Sequence, residues 1–309
     1  MGLSVGIVGL PNAGKSTLFN ALATRRLSET APRPFTTINP HEAVVELSDE
    51  KLEKISQLIK PETTVPATVT FIDIAGLVKG AHKGEGLGNQ FLAKIKEVDA
   101  IVHVVRVFTN LEVSHQNPSF QPNSLEQVLE DIEIVNLELE LGGIKDKPTI
   151  YILNVDEGKI KSESQIIEEV KKKFGGETLA ISAKLEEEFI DLEPPERKEY
   201  LKELGVEEAG LNRLIKKAYE LLGLITFYTI KGGKEVHAWS LKNSSTAIQA
   251  AGEVHTDFAK NFIKAEAINV NELLSEGGWH EAKEKGKVRL EGKDYIVKDG
   301  DVIEFKIGA

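Results

Sequence analysis

Residues Gly6 to Asn20 read GIVGLPNAGKSTLFN, and Gly9-Leu10-Pro11-Asn12-Ala13-Gly14-Lys15-Ser16 within them fits the pattern G-x-x-x-x-G-K-[ST]. The apolar run Leu3–Val8 leads in with strand character, and Ser16–Thr24 follows with helical spacing. A strand, a glycine loop and a helix in that order make a cradle for phosphate. Glycines let the backbone curl so that successive N–H groups and the helix N-terminus face anionic oxygens. In that setting Lys15 reaches the β- and γ-phosphates, and the Ser16 hydroxyl ligates Mg2+. One such loop does not separate a kinase from a motor or a switch.

The stretches further along narrow the choice. Strand patterns recur at Ala43–Leu47, Thr68–Ile74, Ala100–Phe108, Thr149–Leu153 and Thr178–Ile181. Helical spacing falls at Gly88–Val98, Leu125–Leu141, Gln165–Phe174, Glu196–Leu204 and Leu211–Leu222. This alternation predicts an α/β fold of P-loop NTPase type, a parallel-type sheet with right-handed crossovers and helices on both faces. The near-continuous apolar runs Ala100-Ile101-Val102 and Ile150-Tyr151-Ile152-Leu153 read as strands buried on both faces.

Asp73-Ile74-Ala75-Gly76 ends one strand as D-x-x-G does in nucleotide switches. There the Asp holds Mg2+ through water and the Gly N–H meets the γ-phosphate. Pro34-Phe35-Thr36-Thr37-Ile38 lies where a switch loop offers a Thr hydroxyl to Mg2+; a β-prone loop turning on two prolines reads equally well. Asn154-Val155-Asp156-Glu157 follows the strand at Thr149, where a G protein places N-K-x-D to read the base. The Asp of that motif accepts from guanine N1–H and the 2-amino group together. Glu157 is one methylene longer and Val155 removes the lysine stem that covers the base, so guanine selection is weakened. Ser182-Ala183-Lys184 matches the last base-contact loop. A kinase acting on a metabolite has no need of these two loops.

Near Leu222 the pattern changes. Ile225–Ile230 and Val236–Leu241 flank Lys231-Gly232-Gly233-Lys234, a hairpin signal. A helical stretch Thr246–Val254 follows, then strand patterns at Phe262–Ile268, Val288–Leu290, Tyr295–Val297 and Val302–Phe305. The expected division is residues 1–223 and a small α+β module at 224–309. The 309 residues carry a net charge of −11, which argues against bulk electrostatic binding to nucleic acid. The charge is uneven: Leu224–Ala309 has 12 basic against 13 acidic side chains, leaving −10 on residues 1–223. Having no cysteine excludes thiolate metal sites and thiol nucleophiles. No apolar run reaches the ~18 residues of a membrane span, and the N-terminus carries no signal-peptide pattern. A cytoplasmic protein with no membrane partner is expected.

With these motifs in order, the chain resembles the YchF/Obg-like ATPase family within the Obg-type translation-factor NTPases. The resemblance rests on Gly6–Asn20, Phe71–Phe91 (FIDIAGLVKGAHKGEGLGNQF), Asn154–Glu157, Ala251–Phe258 (AGEVHTDF) and Arg289–Val302 (RLEGKDYIVKDGDV). It implies ATP binding at least as good as GTP binding, Mg2+-dependent hydrolysis, ribosome association and a C-terminal TGS-like, β-grasp domain. By motif it implies that Asn12, Ala13, Gly14, Lys15, Ser16 and Thr17 hold the phosphates, with Ser16, Thr37 and Asp73 around Mg2+. Asn154 and Val155 then lie against the base with Ser182 and Ala183, and Glu157 marks the altered specificity.

The resemblance also assigns catalytic roles. Lys15 and Gly76 meet the γ-phosphate, and Leu77 stands where related switches carry a water-orienting Gln. A leucine cannot orient water, and the family's loop histidine for that role corresponds to His115. Asn12 matches a position that helps bind K+ in potassium-stimulated relatives. The family's long helical arm, inserted between the helix ending at Leu141 and the strand at Thr149, is reduced here to Gly142–Pro148. In the C-terminal module His237, His255 and His280 have no metal-ligand spacing, while Lys283-Glu284-Lys285-Gly286-Lys287 with Arg289 is the basic run best placed for RNA. A different class of function fits the same motifs: a ribosome- or RNA-binding module whose nucleotide site regulates shape with little turnover.

Overall fold

The computed structural model describes residues 3–29, 41–74, 87–109 and 120–308. In chain order these form β1 (Ser4–Val8), α1 (Lys15–Glu29), β2 (Glu42–Glu46), α2 (Glu50–Ile59), β3 (Thr63–Val65), β4 (Thr68–Asp73), α3 (Leu87–Glu97) and β5 (Ala100–Val107). Then come α4 (Leu125–Leu141), β6 (Thr149–Val155), α5 (Ser164–Phe174), β7 (Glu177–Ile181), α6 (Ala183–Glu188), α7 (Pro194–Glu203) and α8 (Gly210–Leu221). The chain divides into two compact units, Met1–Val45 with Val69–Leu222, and Glu46–Thr68 with Gly223–Ala309.

The first unit is built on a sheet of order β2-β4-β1-β5-β6-β7. β1 pairs in parallel with β4 and β5, β5 with β6, and β6 with β7. The edge strand β2 departs from the parallel expectation. Asp73 N–H donates to the His41 carbonyl and Leu47 N–H to the Ala67 carbonyl, so β2 runs antiparallel to β4 and the sheet is mixed. All eight residues of β5 are buried, its apolar side chains together with His103 and Arg106. One apolar cluster joins Val8, Ile74 and Ile101 to Leu92 and Ile95 of α3 and to Val135 and Leu139 of α4. Another joins Val105, Val107 and Leu153 to Val128 and Ile132 of α4 and Ile166 and Val170 of α5. Between α4 and β6 the chain turns in Gly142–Pro148, and the Lys147 ammonium donates to the carbonyls of Ile95, Lys96 and Val98 at the end of α3.

The second unit contains β8 (Leu224–Lys231), β9 (Glu235–Lys242), α9 (Ala247–Val254), α10 (Thr256–Lys260), β10 (Phe262–Asn269), α11 (Val270–Glu276), α12 (Trp279–Glu284), β11 (Arg289–Glu291) and β12 (Asp301–Ile307). Its sheet order is β11-β10-β12-β8-β9-β3. β12 lies parallel to β8 between two antiparallel pairs, a β-grasp arrangement. Ala247 and Ala250 of α9 pack on Phe227, Leu241, Ala265, Ala267 and Ile303, and the small side chains let the helix approach the sheet closely. The expected strand at Tyr295–Val297 is only an isolated bridge from Ile296 to Thr246.

The division at residue 223 therefore omits a piece. Glu46–Thr68, expected in the first domain with no element between its strands, forms α2 and β3 of the second unit. β3 pairs in parallel with β9 through Thr64 and Val236. Asp49 caps α2 by accepting from the N–H groups of Lys51 and Leu52, and Leu52 and Ile55 bury one face.

Candidate nucleotide site

The turn after β1 needs backbone that side chains resist. Gly9 has φ 151°, Asn12 62° and Gly14 93°. A Cβ on Gly9 would stand 2.3 Å from the Val104 carbonyl oxygen, and one on Gly14 would stand 2.1 Å from Asn154 Nδ2. The two glycines of the pattern are thus required by close approach as well as by φ. Asn12 takes the left-handed conformation that Asn tolerates, which gives it a backbone role in the turn.

Lys15 opens α1 with only 8% of its surface exposed, and its ammonium donates to the Leu10 carbonyl at 2.8 Å. Burial pulls its pKa below the ordinary lysine value, against the opposing pull of the Asp73 carboxylate. Asp73 lies at the end of β4, in electrostatic reach of that ammonium. Beneath them on β5 sits His103, fully buried and held near pKa 3 by burial and by the Lys15 charge.

Asn154 brings the motifs together. Its Nδ2 donates to the Ala13 carbonyl and its Oδ1 accepts from the Ala183 N–H, both at 3.0 Å. One buried amide thus ties the glycine loop to the two loops read as base contacts. Ser182 spends its hydroxyl on capping α6, accepting from the Leu185 N–H. Around these groups opens a cleft of about 770 Å3, lined by Asn12, Gly14, Lys15, Ser16 and Thr17 on one side and Asn154, Val155, Glu157, Ser182 and Ala183 on the other. That size suits a nucleotide-sized ligand.

Several lining residues escaped the sequence reading, among them Phe108, Thr109, Leu185, Glu187 and Glu188. Phe108, taken only as the end of a strand, lines the cleft with Thr109, and the Arg106 guanidinium lies 4.8 Å over its ring. Asp156 accepts from the Thr109 N–H at 3.2 and 3.3 Å through its two oxygens, closing the rim. The available signal was position: ligands of open α/β sheets gather outside the carboxyl ends of the strands. Thr37, Gly76 and His115 lie outside the described residues. For a metal, Ser16 and Asp73 offer a hydroxyl and a carboxylate, the hard oxygen donors that Mg2+ takes alongside phosphate and water.

The basic run of the second unit does not present the free charge expected of it. Lys283 is bound to Glu266 at 2.8 Å, Lys285 to Glu276 at 2.6 Å, and Arg289 to Glu291 at 3.1 Å and Asp301 at 3.4 Å. His237 stacks on Trp239 at 3.7 Å and His255 caps α10, both structural roles.

The family described as 50S ribosome-binding GTPase matches residues 4–155, and the YchF-GTPase C-terminal family, described as a protein of unknown function, matches residues 224–308. The chain is 41% identical to the ribosome-binding ATPase YchF of Escherichia coli O157:H7, with 99% of each chain covered, and 39% identical to that of Bacillus subtilis strain 168 over the same shares. The chain belongs to the YchF family. The structure of the Schizosaccharomyces pombe YchF GTPase superposes on it with a TM-score of 0.81 at 31% identity, covering 98% of this chain and 97% of that one. The alignment with the E. coli YchF runs over 367 positions against 309 residues here, so YchF relatives carry stretches with no counterpart in this chain. Like other YchF members it is a P-loop NTPase with a β-rich C-terminal domain. Among the described residues no helix is long and apolar enough to cross a membrane.

Proposed function

We propose that this YchF-family chain is a Mg2+-dependent nucleotide switch that hydrolyses ATP in preference to GTP and acts on the ribosome from the cytoplasm. The observation that carries the nucleotide reading is Asn154, whose amide joins the phosphate loop to both base-side loops across one cleft. Two curated relatives are named ribosome-binding ATPases, which supports ATP and the ribosome as partners.

Asn12 to Thr17 surround the phosphates, with Lys15 leaving the Leu10 carbonyl to meet the β- and γ-oxygens. Mg2+, when bound, would supply positive charge to the phosphates. Ser16, Thr37 and Asp73 are the protein groups that would hold it. Gly76 offers its N–H to the γ-phosphate, and His115 is the group assigned to orient water because Leu77 cannot. Val155 and Phe108 form walls for the base. Potassium is proposed through Asn12 alone, and turnover equal in K+ and Na+ removes it.

The C-terminal unit is read as a TGS-like domain facing the ribosome. Its basic run is largely neutralised by its own carboxylates, so recognition there proceeds through shape and hydrogen bonds more than free charge. The tight turn Gly142–Pro148 replaces the family's helical arm, and partners recruited by that arm are not expected. Phosphate release from ATP and GTP, with and without ribosomes, tests the reading. Turnover that prefers ATP, rises with ribosomes and disappears in Lys15→Ala supports it. Binding to ribosomes with no turnover above blank favours the second reading, a regulatory nucleotide site in a binding module, which Leu77 makes specific.

A further inference from the structure

Glu157, the residue placed to meet the base, is itself held. The Tyr200 hydroxyl on α7 donates to Glu157 Oε1 at 2.6 Å. The Tyr200 ring packs edge-on against Phe189, with centroids 5.8 Å apart and planes at 84°. Phe189 is 3% exposed and directly follows α6, whose N-terminus is the Ser182-Ala183 loop. Tyr200 is thus braced by the segment that continues from the Ser182-Ala183 loop while it grips the Glu157 carboxylate on the same side of the cleft. The bond to Glu157 is the main cause raising the tyrosine pKa above its ordinary value, which keeps the hydroxyl a donor across the physiological range.

The consequence is a matter of counting donors and acceptors. Guanine presents two adjacent donors, N1–H and the 2-amino group, and a carboxylate with both oxygens available accepts both. Adenine presents one donor, the 6-amino group, beside an acceptor, N1. A second carboxylate oxygen facing N1 would set two lone pairs against each other. Tyr200 takes one lone pair of Oε1 and fixes the orientation of the carboxylate, so that Oε2 is the oxygen better able to accept from a base.

We propose that Tyr200 is a positioning residue that sets base selectivity, holding Glu157 as a single-oxygen acceptor that suits adenine and denies guanine its bidentate contact. The inference rests on the nucleotide reading of the cleft. Its test is the ratio of dissociation constants for ATP and GTP in the full-length chain, measured with Mg2+ by calorimetry. Tyr200→Phe frees Oε1, and GTP binding relative to ATP is expected to strengthen about tenfold, the scale of one bidentate base contact. In a Glu157→Gln background the same Tyr200 change is expected to leave the ratio unmoved, since no carboxylate remains to be released. A merely structural role weakens both nucleotides together and leaves the ratio alone; that result overturns the proposal.

A measurement on the unaltered chain guards against a misfolded variant. If Glu157 accepts through one oxygen, GTP and ITP, which lacks the 2-amino group, bind within about twofold of each other. A GTP preference over ITP of about tenfold or more shows both oxygens engaged and overturns the assignment. Absence of any nucleotide binding defeats the cleft reading and this inference with it. Intact binding with an unmoved ratio defeats this inference alone.

Discussion

The Tyr228 hydroxyl donates to the Asp49 carboxylate at 2.6 Å, joining positions 179 residues apart inside the second unit. Tyr228 is 1% exposed, so this hydroxyl has no recourse to water. The other Asp49 oxygen caps α2 through Lys51 and Leu52. One side chain therefore starts a helix and fastens it to a strand from the far end of the chain.

Asp49→Ala removes the cap and the hydrogen bond from the Tyr228 hydroxyl, for a combined loss of about 2 kcal/mol. Both tryptophans, Trp239 and Trp279, lie in the second unit, so indole fluorescence during urea unfolding reports that unit alone. Asp49→Asn keeps a cap acceptor and is expected to lose less. Equal stability of Asp49→Ala and the parent would refute the assignment.

Asn154→Ala deletes both bonds that link the glycine loop to Ala183. The Ala13 carbonyl and Ala183 N–H are left buried without that partner, at a cost of about 2 kcal/mol. Affinity for ATP and GTP falls together, because the loops that Asn154 holds line the whole cleft and not the base alone. Calorimetric titration with both nucleotides checks this, and a change in their ratio would count against it.

Lys15→Ala separates stability from turnover. The ammonium is buried against one carbonyl and its charge is disfavoured there, so its loss is expected to cost the fold only about 1 kcal/mol, the scale of one hydrogen bond. Turnover falls at least about a hundredfold, since the charge that meets the phosphates is gone. Phosphate release and urea midpoints on the same preparations decide it.

His103 makes stability depend on acid. Folded, its pKa is held at about 3, below the ordinary 6.5. Between those values the unfolded chain binds a proton that the folded chain refuses. Its contribution is therefore full above pH 6.5 and declines as pH falls, by about 1.4 kcal/mol per unit. His103→Leu removes that slope. From pH 7 to pH 5 the variant is expected to gain about 2 kcal/mol relative to the parent, read by far-ultraviolet circular dichroism in urea. Parallel loss in both would refute it.

Lys147→Ala uncaps the end of α3, where burial depresses the ammonium pKa and three carbonyls depend on it. A loss of about 1 kcal/mol is expected, with faster amide exchange confined to the last turn of α3. Unchanged exchange there would show that the carbonyls have other partners.

The first unit was legible because its signals are local. The glycines of Gly9–Ser16, the mostly apolar strands at Ala100 and Ile150, and the polar loops at Asn154 and Ser182 each declare themselves within a few residues. Phe108 and Tyr200 did not, since an aromatic residue at a strand end or on a helix reads as core until something is placed opposite it. The ion pairing of the basic run at Lys283 was hidden for the converse reason. The carboxylates that neutralise it, Glu266 and Glu276, are contributed by β10 and α11 and are not its sequence neighbours.

Order along the chain determined the α/β architecture, the phosphate loop, the polar loops after β6 and β7 and the β-rich C-terminal module, because backbone conformation and hydrophobic period act over a few residues. Only tertiary structure decided that Glu46–Thr68 belongs with the C-terminal strands, that Asn154 clamps three loops, and that Tyr200 holds Glu157. Each of these depends on groups distant in sequence meeting at hydrogen-bond range, and that pairing is fixed by how the sheets and helices close around their cores.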